Sequence, residues 1–154
     1  MIDFEKYNRE LDPAMLLVIE ESLKIFPTVE HFEQWIDKKW EIVNKRNKTY
    51  NNGSKGCHYQ LKSLVDPILF FKITLDDSNC LHFSDPSCNL EAAYYICDQL
   101  RKNLPDLDGK LIFVDEYGSI ARFPFDCSDD ELCLRIGLDG DFHDRELMQE
   151  FGLE

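Results

Sequence analysis

Two stretches of this chain are hard to fold as anything but paired strands. In PILFFKITL, residues 67–75, aromatic and β-branched residues crowd together. DDSN follows as a polar turn, and CLHF, residues 80–83, alternates as the returning partner. KLIFV and SIARFPF likewise flank DEYG, where Gly118 is available for a positive φ. Pro124 has no N–H for a ladder, so that strand is expected to lie at a sheet edge or to end there. Strands joined by turns this tight imply antiparallel pairing.

Helical spacing sets the expectation for the rest. Asp12 and Pro13 suit the start of a helix, and Leu16, Ile19, Leu23 and Phe26 recur along it until Pro27. Thr28 can cap a second helix carrying Val29, Phe32, Ile36, Trp40 and Val43, with Lys45 and Arg46 at its C-terminal end. These predict an N-terminal helical hairpin over residues 1–46, followed by a loop at 47–60. A third helix opens at Asp85-Pro86, with Ala93, Ile96, Cys97, Leu100 and Leu104 as its buried stripe. At 128–138 two signals conflict. Ser128 and Glu131 match a capping box, yet Leu132, Leu134, Ile136 and Leu138 alternate. The alternation predicts a strand. A last helix is expected from about Phe142 to Phe151, with Asp141 as its cap. The order expected is α-α-β-β-α-β-β-β-α. It describes a single α+β domain over 1–154, with the antiparallel sheet and two further helices in 61–154.

Charge narrows the function. The 154 residues carry a formal net charge of −13, distributed unevenly. Residues 28–60 are net +2, whereas residues 111–154 are net −9. Such a surface repels nucleic acid and anionic lipid, and favours encounter with a basic protein. The basic stretch from Lys38 to Lys55, with Trp40 and Tyr50, has the composition of a nucleic-acid contact, but the rest of the molecule opposes one. The N-terminus has neither a basic start nor an apolar run, and no stretch approaches the length of a membrane span. A cytoplasmic protein with no nucleic-acid or membrane partner is expected. Six cysteines (Cys57, Cys80, Cys88, Cys97, Cys127 and Cys133) then read as thiols rather than disulfides.

Catalytic signals are weak. Asp139, Asp141, His143 and Glu150 fall at the first, third, fifth and twelfth places of a calcium-loop frame. Asp144 stands at the sixth place, where a glycine is needed, and His143 is a poor ligand for a hard cation, so the frame fails. Cys57, His58, Cys80 and His82 are ligand types that suit zinc or thiol chemistry, but none has knuckle spacing. They define an alternative reading, a metal-dependent or thiol enzyme. Otherwise no enzyme and no cofactor is expected.

The acids of the last third carry the main expectation. Asp115, Glu116 and Tyr117 mark one turn, Asp126, Asp129, Asp130 and Glu131 the next, and Asp139, Asp141, Phe142 and Asp144 the third. Acids beside aromatic anchors suit a partner-binding surface for a basic protein. Its most concrete form is an immunity protein or antitoxin that neutralises a nuclease-like bacterial toxin. A third reading is an accessory domain for protein assembly, presenting Trp35 or Tyr50 from the helical hairpin.

Overall fold

One seven-stranded antiparallel sheet runs through the computed structural model. The structure describes residues 2–7, 14–20, 23–49, 51, 53, 55–64, 70–76, 80–83, 90–115, 119–138, 144–150 and 152. The strands are β1 (Ala14–Val18), β2 (Trp40–Thr49), β3 (Lys55–Ser63), β4 (Phe70–Asp76), β5 (Cys80–Phe83), β6 (Leu111–Asp115) and β7 (Ile120–Arg122). Their spatial order is β2-β3-β4-β5-β1-β6-β7, so the first strand is inserted between a four-stranded meander and the last hairpin. The helices are α1 (Val29–Ile36), α2 (Leu90–Asn103), α3 (Asp129–Ile136) and α4 (Arg145–Glu150).

The expected element order is wrong at its start: among the described residues the first strand or α-helix is β1, and no helical hairpin forms. The cause is the central position of β1. Leu16 and Val18 enter the main core, while Leu17 packs with the cluster on the opposite face. A strand covered on both faces reads as a continuous apolar run, and a helical period can be drawn through such a run. The helix starting at Thr28 is real but lasts eight residues, Val29 to Ile36. Trp40 then begins β2, and the expected loop at 47–60 holds the end of that strand, the turn and the start of β3. Gly53, with φ +86°, supplies the left-handed backbone in the turn. In β3, buried Cys57, Tyr59, Leu61 and Ser63 alternate with more accessible residues.

The segment 128–138 is also corrected. Asp129–Ile136 is helix α3, and the capping box outweighs the alternation: Ser128 Oγ accepts from the Glu131 N–H at 3.1 Å. Leu132, Cys133 and Ile136 are buried, which is one helical face rather than one strand face. The expected run of three strands is therefore a hairpin, β6–β7, followed by a helix. The β4–β5 and β6–β7 pairs form as expected, and β7 is an edge that ends before Pro124.

Two layers of apolar side chains flank the sheet. The main core gathers Phe32 and Ile36 of α1, Leu90, Ile96 and Leu100 of α2, and Leu132 and Ile136 of α3. They meet Leu61, Leu81, Phe83 and Phe113 from the strands. Full burial of each such side chain contributes about 1.5–3 kcal/mol. On the other face, α4 sets Leu147 and Met148 against Ile112, Ile120 and Leu17. Asp144 caps α4 by accepting from the Leu147 N–H at 3.0 Å, whereas the expected cap, Asp141, lies outside the described residues.

Candidate functional site: an acidic and aromatic face

Helix α2 organises this face through spacing of three and four residues. Tyr94, Asp98, Arg101 and Lys102 lie along one side of it. Asp98 is nearly buried and receives Arg101 Nε at 2.9 Å and Lys102 Nζ at 2.6 Å. The other nitrogens of the Arg101 fork reach across to the next element. Nη1 donates to the Cys127 carbonyl at 2.9 Å, and Nη2 to Asp129 Oδ1 at 2.7 Å. One guanidinium thus ties the start of α3 to the last turns of α2. Burial alone would lower the guanidinium pKa, but the hydrogen bond and charge of Asp98 outweigh it and hold it above the usual value.

Aromatic residues complete the surface. The Tyr94 hydroxyl donates to Asp129 Oδ1 at 2.9 Å, and the Tyr7 hydroxyl donates to Asp130 Oδ1. Burial, then the Asp129 hydrogen bond, pushes the Tyr94 phenol above its usual range. Phe4 sits in a short 3-10 turn, Phe4–Lys6, whose Asp3 side chain accepts from the Glu5 N–H. The Phe4 ring lies 5.5 Å from Tyr94 and 5.9 Å from Tyr95. Tyr95 itself remains 43% exposed. The result is a tyrosine set on a packed aromatic base, beside the acidic first turn of α3.

The acids expected to form the surface divide into separate groups. Asp129 and Asp130 reach this face, but each already bonds a side chain of the chain itself. Asp126 and Glu131 adjoin them in sequence, Asp126 exposed and Glu131 half-buried. Asp115 belongs to another end, where its Oδ1 accepts from the Ser119 N–H at 2.8 Å. Asp144 caps α4 and faces Arg122 at 3.3 Å. Glu116, Tyr117, Asp139, Asp141 and Phe142 lie outside the described residues.

The residues of the alternative site divide between the two faces of the sheet. Cys57 faces the main core, while His58, its neighbour along β3, points to the opposite face. Cys80 and His82 share that opposite face by register, His58 and His82 standing on either side of Thr74 in β4. Two strand spacings separate these histidines, roughly 9–10 Å. Among the described residues no group of three or more His, Cys, Asp or Glu is placed to hold a metal. Cys57, Cys80, Cys97, Cys127 and Cys133 are thiols outside any disulfide. The expected docking hairpin with Trp35 or Tyr50 does not form among the described residues: Trp35 lies in α1, packed on Phe26 at 5.0 Å, and Tyr50 is outside the described residues.

Sequence reasoning passed over Tyr95 and Arg101. The α2 stripe of Ala93, Ile96, Cys97 and Leu100 leaves Tyr95 on the outer side, so an aromatic off the stripe was the available signal. No family model, curated protein or solved structure matches the chain. Among the described residues no helix is long and apolar enough to cross a membrane.

Proposed function

We propose that this protein is a binding protein whose α2–α3 face masks a basic protein surface. The observation that carries the reading is exposed Tyr95, held on Phe4 and Tyr94, beside the acidic first turn of α3. A rigid tyrosine buries contact area at little entropic cost, and acids around it steer a basic partner. The net charge of −9 over residues 111–154 adds long-range attraction. The most concrete form is an immunity protein or antitoxin covering the nucleic-acid-binding surface of a toxin.

The division of the acids changes how the reading is tested. Asp129 is joined to Arg101, so reversing its charge perturbs the fold itself. Tyr95→Ala, Asp126→Lys and Glu131→Lys leave that junction in place. Co-purification from the native source is expected to recover a small basic protein at fixed stoichiometry, released by salt. Tyr95→Ala alone should weaken that complex by about 2 kcal/mol, roughly thirtyfold in Kd. Recovery of no basic partner, or equal retention by all three variants, overturns the reading.

A further inference from the structure

A cavity of about 470 Å³ opens between the segment leading into α1 and the tip of the β2–β3 hairpin. Its floor is apolar, since Phe26, Cys57 and Leu75 are buried members of the main core that line it. Among the described residues its rim carries only positive charge. Lys24, Lys48 and Lys55 line it together with Thr28, and no acid does so among the described residues. That composition runs against a chain of net charge −13.

Register separates the roles of the lysines. Lys55 lies on the same side of β3 as Cys57, toward the floor, whereas Lys48 pairs with Gly56 on the opposite side. Lys24 is exposed and approaches from the segment before α1. The nearby acid Glu30 bonds its own backbone N–H and Thr28, which lowers its pKa, and it does not line the cavity. Like charges around a concave wall with a low-dielectric floor raise the local potential and concentrate anions. The volume lies in the range of small-molecule sites and exceeds what an inorganic ion fills.

We propose that this cavity binds a small organic anion, its carboxylate or similar head at Lys24 and Lys55 and its apolar body against Phe26, Cys57 and Leu75. An acyl chain and a flat aromatic ring both meet these requirements, so the test uses one probe of each kind.

Isothermal titration of the full chain with octanoate and with 2-naphthoate should show one saturable site for at least one of them. The tighter probe identifies the body. Neutral 1-octanol and headgroup-only acetate should each bind at least tenfold more weakly than that probe. Lys24→Gln combined with Lys55→Gln should weaken the better acid by about tenfold, with the melting temperature shifted little. Leu75→Phe should weaken it too, by filling the floor. If that variant unfolds by circular dichroism, the lysine pair still decides the matter. The proposal falls if neither acid saturates, if octanol matches the better acid, or if the double-lysine variant binds unchanged. No residue of the α2–α3 face is altered, so failure here leaves the proposed function standing, and the reverse also holds.

Discussion

The α2–α3 face and the β2–β3 hairpin hold charge in different ways. Arg101 is 10% exposed and bonds Asp98, the Cys127 carbonyl and Asp129 at once. Lys45, on the outer strand of the hairpin, is 40% exposed and meets Glu33, which also accepts from the Tyr59 hydroxyl. The first is a junction between two helices, buried at Arg101 and Asp98 and open at Asp129. The second belongs to a row of charged residues along an edge strand, where charge discourages pairing with other chains. Similar residue types therefore serve architecture in one place and solvation in the other, and burial decides which.

Removing each cation tests this difference most directly. Arg101→Ala removes the guanidinium from nearly buried Asp98 and should cost about 3 kcal/mol, read as a lower urea midpoint. Arg101→Lys should recover part of this, because a lysine keeps the charge but not the three-way fork. Lys45→Ala should cost less than about 1 kcal/mol. Equal losses at Arg101 and Lys45 would show that the junction contributes no more than a surface pair.

Charge reversal sharpens the contrast at the level of binding. Asp126→Lys and Glu131→Lys should slow association with the basic partner and flatten its salt dependence, with melting temperatures shifted little. Reversal of Lys45 or Arg46 should leave the affinity unchanged or improve it. A larger loss from the hairpin reversals would move the partner site away from α2–α3.

The smallest expected effect is a pH response of opposite sign in the two regions. Burial pushes the Cys133 thiol up to about 11, and the Tyr94 phenol also lies above its usual range. The unfolded chain loses those protons first, so stability present below the usual value of 9.0 for the thiol is lost as pH rises through the raised one. For the phenol the loss begins above 10.0. On the hairpin, burial and then Lys48, Arg46 and His82 hold His58 below its usual 6.5. The unfolded chain binds that proton first, so stability is complete above 6.5 and declines as pH falls. Thermal melts across pH should show a shallower alkaline fall in Tyr94→Phe and a shallower acid fall in His58→Gln. Unchanged limbs in both variants would remove these groups from the pH response.

The two short hairpins, β4–β5 and β6–β7, were legible because a period of two and a tight turn are local properties. The cap of α3 was legible for the same reason, yet alternating Leu132, Leu134 and Ile136 concealed the helix: over eight residues the two periods overlap. β1 was hidden by burial on both faces. β2 was hidden by the opposite condition: an edge strand turned mostly to solvent leaves too few apolar residues to show a period of two, so Trp40 and Val43 extend the helical period that precedes them. At the candidate site, acidity and its bias toward the last third could be read directly. The tyrosine platform could not, because Phe4, Tyr7, Tyr94 and Tyr95 come from separate parts of the chain.

Local sequence suffices for the charge and its distribution, the two short strand pairs, the caps at Thr28 and Ser128 and the supply of apolar side chains. All of these depend on residues within a few positions of one another. Packing of the whole chain makes the first apolar run the strand between β5 and β6, joins Asp129 to Arg101 and leaves Tyr95 facing outward. It also sets lysines from distant segments around one apolar hollow. Those outcomes depend on which segments are buried against each other, and burial is a property of the whole chain.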